Sequence, residues 1–377
     1  MSNDERAVGA GHPARGTRFG WLLDRQLLLV AAVSTLVVAA GAMIQVSYGA
    51  YSMTFGEAWR AVVDPQVVLN RQAWNAFLLG GEMPEMATES LIVWNIRLPR
   101  VLVAVIVGMN LAVSGAIFQA VTRNELASPF ILGVSSGAGL MILLTLVVFG
   151  NLAQFLPLIA ATGGAVAFLV VYAIAWKGGT SPVRLVLAGV IVGTVFNSLQ
   201  TGLFFFADDI GVVQSAISWT TGSLTSTDWE QVRLALPWTV VSLVLAVAGS
   251  RQLNVLLLGE RTARSLGMSI EKVRFALSGV AVLAAAASIA VAGIVSFVGL
   301  IVPHMVRNLV GSDYKKLIVG CLFVGPALMV TADVGARLGM SVLTGADVQI
   351  PVGIVTGLIG GPYFLYLMRR QQNMGEI

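Results

Sequence analysis

Long apolar runs recur along the chain, separated by short stretches rich in charge, glycine or proline, and their length exceeds anything a half-buried amphipathic helix requires. A helix needs roughly 20 apolar residues to cross the hydrocarbon of a bilayer. The pattern predicts ten such spans, near 27–46, 101–121, 131–149, 153–176, 185–206, 234–250, 273–292, 294–310, 317–334 and 350–368. Gly293 alone separates the seventh from the eighth, and Pro303 interrupts the eighth. Ala40-Gly41-Ala42 would suit a signal-peptide cleavage site, but the first apolar run is too long for a signal peptide and is read as a retained span.

Composition agrees with this pattern. Of 377 residues, 56% are apolar and 11% charged, against roughly 25% charged in a soluble domain, and the mean hydropathy is +0.84. The expected fold is an all-α polytopic membrane protein. A tail at 1–26 and another at 371–377 flank a transmembrane domain at 27–370, with membrane lipid as its solvent. Counted from an inner N-terminus, the inner segments hold Arg6, Arg15, Arg18, Arg251, Arg261, Arg264, Lys315, Lys316, Arg369 and Arg370. Acids such as Glu57, Asp64, Glu82, Glu85, Glu89, Asp228 and Glu230 collect outside. The positive-inside rule then puts both termini in the cytoplasm of a cell-membrane protein. Cys321 lies within an apolar run, so no disulfide framework or cysteine metal cluster is expected. The net charge of +4, spread over loops, gives nucleic acid no surface to bind.

The chemistry of an engine is missing. No Gly-Lys dipeptide is present to end a phosphate-cradling loop. Ion-coupled transporters keep carboxylates inside their spans, yet no Asp or Glu falls in a span before Asp333, at the outer end of the ninth. His12 lies in the polar tail, and His304 follows Pro303 without an acid beside it, so no catalytic constellation or metal site is expected. These absences favour a permease driven by another subunit over an enzyme or a secondary transporter working without an ATPase.

Two loops are long enough to fold. The outer one, about 48–96, contains the amphipathic run Phe55 to Val63, suited to lying along a membrane surface. The inner one, about 251–272, is the most basic, and Gly259 and Gly267 divide it into short helical pieces. Small residues at four-residue spacing, Gly133/Gly137, Gly189/Gly193, Gly335/Gly339 and Gly353/Gly357/Gly361, suit close helix packing within a subunit or at a dimer seam. Asn110/Ser114 and Asn197/Gln200/Thr201 either line a path or hydrogen-bond a neighbouring helix.

Four stretches taken together carry a family resemblance. They are Arg97-Leu98-Pro99-Arg100 with Ser114-Gly115-Ala116; Asn124-Glu125-Leu126-Ala127-Ser128-Pro129 with Leu132-Gly133-Val134-Ser135-Ser136-Gly137; Gly293 through His304; and Pro351-Val352-Gly353 through Gly357 with Gly360-Gly361-Pro362. From about 25 to 370 the chain resembles the permease subunits of iron-siderophore, haem and cobalamin ABC importers, the type II fold with ten helices. The resemblance implies a second permease subunit, identical or paralogous, with helices five and ten at the seam. It also implies two cytoplasmic ATPases carrying ATP and Mg, and an extracytoplasmic substrate-binding protein.

It further implies roles residue by residue. Thr180-Ser181 matches one cytoplasmic gate, and Asn124 with Leu126 a second. Gly259, Glu260, Arg261, Arg264 and Gly267 match the coupling element that presses on the ATPase. Arg97, Arg100 and Arg337 match arginines that dock glutamates of the binding protein, a task that suits guanidinium forks. Arg337 is also spaced to pair with Asp333 on its own helix. The outer loop looks longer than the family's usual one, so no role is transferred to it. A ferric siderophore is the expected cargo, with haem and cobalamin open.

Overall fold

The computed structural model describes residues 20–375 apart from 50, 52, 208 and 345–348. His12, most of the N-terminal tail and the last two residues of the C-terminal one therefore lie outside the described residues.

Among the described residues every regular element is helical. In chain order they are α1 (Arg25–Ser47), α2 (Phe55–Val62), α3 (Pro65–Val68), α4 (Arg71–Leu79), α5 (Thr88–Ile92), α6 (Leu98–Thr122), α7 (Val134–Leu143) and α8 (Leu156–Ala175). They continue as α9 (Pro182–Phe204), α10 (Ile210–Thr221), α11 (Trp229–Leu257), α12 (Glu260–Ser265), α13 (Ile270–Ala292), α14 (Val298–Val310), α15 (Tyr314–Thr344) and α16 (Val352–Gly375). Seven helical segments are long and apolar enough to cross a membrane, and the shorter apolar ones at 134–148, 298–310 and 352–366 occupy the three remaining predicted positions.

Helix α6 is the axis of the bundle. It packs against α11, α13, α14 and α15, and its approach to two of them is backbone to backbone. A Cβ on Gly115 would stand 1.8 Å from the Gly299 carbonyl oxygen, and one on Gly108 would stand 2.5 Å from that of Gly325. With no hydrophobic driving force between helices in lipid, such contacts let dispersion hold them together. Buried polar groups lock α6 to its other two neighbours, α11 and α13: Asn110 donates to Thr239 Oγ1 at 2.7 Å, and Ser114 to the Ala281 carbonyl at 2.7 Å. Of the two uses open to Asn110 and Ser114, the structure shows the hydrogen-bonding one. The outer faces of α1 and α9, by contrast, present Leu29, Val33, Leu36, Val190 and Ile191 outward, as lipid or a neighbouring subunit requires.

Several boundaries differ from the sequence reading. The second spanning helix begins at Thr88, because α5 runs through a π-helical stretch, Val93–Arg97, into α6. Much of the rest of the outer loop is helical, with residues 80–87 joining α4 to α5 outside any helix, and α2 packs Ala58 and Ala61 inward onto the protein. Trp94 donates to the Ala61 carbonyl and Trp229 to that of Trp94. Phe77 stacks between the two indoles, with centroids 5.5 and 4.8 Å away. Residues 251–257 belong to α11, so the basic loop holds one short helix, α12, instead of several. Helix α10, between the fifth and sixth spans, was not anticipated. Gly293 turns the chain at φ +67 between α13 and α14, where a Cβ would meet the Trp219 carbonyl oxygen at 2.3 Å. On either side of the break the Ile294 N–H donates to the Trp219 carbonyl and the Ser223 N–H to the Ala292 carbonyl, at 2.9 and 2.8 Å.

Candidate functional site

Two polar clusters stand out at the α12 end of the bundle, where helices end and carbonyl and N–H groups must find partners. The first is built around Arg274, on the second turn of α13 and 1% exposed. Its Nη2 donates to Glu260 Oε1 of α12 at 2.8 Å. Its Nη1 reaches Glu271 Oε1 at 3.2 Å and the Thr180 carbonyl at 2.7 Å. Thr180 is itself buried, and both its N–H and its hydroxyl donate to Glu271 Oε2, at 2.9 and 2.7 Å. Ser181 caps α9 by accepting from the Arg184 N–H at 3.2 Å. The two candidate gate residues thus face different partners: Thr180 is tied to α13, and Ser181 starts α9.

The second cluster surrounds the turn after α6. Arg123 ends that helix in the left-handed region at φ 49, and Asn124 Oδ1 accepts from the Leu126 N–H at 3.0 Å. Leu126 projects outward at 41% exposure. Between them Glu125 reaches into the bundle, 3.3 Å from Arg307 Nη1 and 3.8 Å from His304 Nδ1. Arg307 also donates to Gln119 Oε1 at 3.0 Å. His304 therefore does have an acid neighbour, supplied from another helix, where the sequence around it offered none. No group of three metal-ligating side chains occurs among the described residues.

Helix α12 forms the outermost part of this end. Gly259, at φ +98, opens it and Gly267, at φ +78, closes the turn after it, both in backbone regions that favour glycine. Ala263 is buried beneath it while Arg261 and Arg264 face outward, Arg264 with only a 3.7 Å approach to Glu260. The result is a small knob with an anchored acid and two exposed cations, Arg261 and Arg264.

The three arginines expected to dock a soluble partner are at the opposite end, where Arg97 and Arg100 are buried and Arg337 is half-buried. Arg97 is 2% exposed and donates to the Val46 and Tyr51 carbonyls. Arg100, 8% exposed, makes two bonds to Asp333, at 2.9 and 2.8 Å, and one to Gln349 at 2.7 Å. Arg337 donates to the Gln45 carbonyl at 3.0 Å. Asp333 thus pairs with Arg100, and the buried guanidinium groups of Arg97 and Arg100 have acceptors within the chain. Glu57, Glu82, Glu85, Asp209, Asp228 and Glu230 are exposed acids at this end, with Arg60 and Arg71 among them.

On α9, Asn197 and Thr201 face outward, as a lining role needs, while Gln200 turns inward and donates to the Ser136 carbonyl at 3.0 Å. The glycine faces divide similarly. A Cβ on Gly137 would meet the backbone of α8 and one on Gly189 that of the turn before α7, whereas Gly357 and Gly361 have open space beside them.

The model of the FecCD transport family aligns with residues 26–370. The chain belongs to that family. It is an integral membrane permease of the ABC-transporter class. The Fe(3+)-citrate import system permease protein YfmD of Bacillus subtilis is 40% identical over 286 residues, 76% of this chain and 84% of that protein. The hemin transport system permease protein HmuU of Yersinia pestis is 33% identical over 358 residues, 94% of this chain and 98% of that one. A solved metal-chelate type ABC transporter in an inward-facing conformation superimposes with a TM-score of 0.75 at 27% identity, covering 91% of this chain and 99% of that one.

Sequence reasoning missed Glu125, Glu271 and Arg307 as structural partners. Only the Glu271–Arg274 pair carried a local signal, the three-residue spacing of a helical ion pair.

Proposed function

We propose that this FecCD-family chain is the pathway subunit of an ATP-driven importer for an iron chelate of the ferric-siderophore class. The second subunit, identical or paralogous, joins along α9 and α16. Two cytoplasmic ATPases, which carry the ATP and Mg, press on α12, and a binding protein delivers cargo at the α2–α5 end. The observation that carries this reading is the α12 knob. Its outward Arg261 and Arg264, on a helix fixed from beneath by Glu260, suit directional contacts with a soluble partner. Thr180, Ser181, Asn124 and Leu126 lie on turns at that same end, consistent with closing a path there.

The names of the relatives support the cargo class, since YfmD is an Fe(3+)-citrate permease and HmuU a hemin one; haem and cobalamin are the competing cargoes. Burial of Arg97 and Arg100 argues for capture of the binding protein by the exposed groups of α2–α5, with the arginines holding those elements from within. A secondary transporter fares worse, because Asp333, the carboxylate such a mechanism would use, is held by Arg100.

The test is reconstitution in proteoliposomes with an ATPase and a substrate-binding protein from the same organism. ATP-dependent uptake of a ferric siderophore, lost when Arg261 and Arg264 are both changed to Glu together with ATPase copurification, is the expected result. Full copurification and uptake by that variant would remove α12 as the docking element.

A further inference from the structure

Arg274 is the one charged side chain among the largest fully buried residues, and neither a gate nor a docking surface accounts for it. Its guanidinium touches three segments at once: Glu260 on α12, Glu271 on its own helix, and Thr180 on the turn between α8 and α9. Glu271 closes the arrangement by accepting from the Thr180 N–H and hydroxyl. Both carboxylates are partly solvated, with side chains 33% and 31% exposed, whereas the arginine is not. The cluster therefore has a dry centre and two wet ends, one on each element it joins.

We infer that Arg274 is a positioning residue that carries displacement of α12 to the α8–α9 turn, so that Glu260, Arg274 and Thr180 move as one body. A planar guanidinium binds its acceptors in a fixed fork and cannot follow one while leaving another. Parting it from Glu260 would empty the acceptor position of Nη2 and leave a buried guanidinium with Glu271 as its remaining carboxylate, so motion of α12 drags α13's second turn and Thr180 with it. Small movements at a docking knob then become movements at a turn 80 positions earlier in the chain, counted from Glu260 to Thr180. The inference rests on the reading of α12 as the ATPase-docking element and of Thr180 as a gate residue.

The experiment measures chelate imported per ATP hydrolysed by the full complex in proteoliposomes. Arg274→Met should assemble, hydrolyse ATP within about twofold of wild type and import about tenfold less per ATP, the size of loss that a broken coupling element gives. Arg274→Lys, whose single ammonium cannot hold the fork, should recover only part of the ratio. Equal import per ATP in Arg274→Met overturns the relay. Should that variant fail to assemble, a cycle of Glu260→Gln and Thr180→Val decides: a double mutant no worse than the poorer single supports a shared path, and losses that multiply overturn it. A wild-type complex that recruits no ATPase or imports nothing overturns the permease reading and the relay together, whereas a working wild type with an unaffected Arg274→Met removes the relay alone.

Discussion

The ion pair between Arg100 and Asp333 offers the sharpest test of how the end opposite α12 is held together. Two bonds of 2.9 and 2.8 Å join a guanidinium side chain 10% exposed to a carboxylate that is fully buried. At a charge separation of about 4 Å and an effective dielectric near 20, the attraction is about 4 kcal/mol. Removing one partner forfeits that and strands the other, so Asp333→Asn or Arg100→Met should destabilise the fold by about 3–5 kcal/mol. Removing both, as in Arg100→Met with Asp333→Leu, should restore most of the loss, because an apolar pair of similar volume avoids the desolvation penalty. Arg100→Glu should be worst, since it sets two carboxylates against each other. The measurement is unfolding free energy in mixed micelles, with binding of the loaded binding protein followed separately at fixed salt. If Arg100→Met costs under about 1 kcal/mol yet abolishes capture of the binding protein, the arginine is a docking residue and the argument from burial fails.

Three further outcomes follow from particular contacts. Lys316 lies 2.6 Å from Asp24 and, with the N–H groups at the start of α1, holds that carboxyl below its ordinary pKa. The stabilisation is complete above about pH 4 and lost as pH falls through the lowered value, so Lys316→Met should lower the melting temperature equally at pH 8 and pH 5 and lose its effect in stronger acid. Gly115→Val forces α6 away from the Gly299 backbone and should lower folded yield in detergent, while Gly357→Val, with open space beside it, should leave that yield unchanged. Phe77→Ala removes a fully buried ring stacked between Trp94 and Trp229; it should cost about 3–5 kcal/mol and expose α2–α4 to limited proteolysis.

The spanning helices were legible because hydrocarbon demands long apolar runs, and a run's existence does not depend on its neighbours. Their ends were not, since a helix can outlast the membrane. Thr88, Glu89, Ser90 and Asn95 read as loop by polarity, yet they continue the second span because Trp94 and Ser90 find partners on α2, Ala61 and the α2–α3 junction. Helix α10 was invisible for the complementary reason: twelve residues of mixed character fall short of a span and show no clean polar face. The basic knob was legible from Gly259 and Gly267, whose positive φ values mark its limits. Its tie to Thr180 was not, because Arg274 and Thr180 are 94 positions apart.

The outer arginines show where charge counting reaches its limit. Arg97, Arg100 and Arg337 run against the inside-positive trend, which made a partner protein the natural explanation for them. Topology, however, is governed by charge that remains solvated and mobile in a loop. Asp333 neutralises Arg100, 233 positions away in sequence. Arg97 and Arg337 donate to the Val46 and Gln45 carbonyls in the last turn of α1. A helix end carries partial negative charge and carbonyls without internal partners, so both cations complete α1 electrostatically. Their positive charge is accounted for within the fold. What is left solvated on the outer surface along α2–α5 and α11 is mostly acidic, Glu57, Glu82, Glu85, Asp228 and Glu230 against Arg60 and Arg71, and it is there, by the same counting rule restricted to solvated groups, that a soluble partner would find its complement.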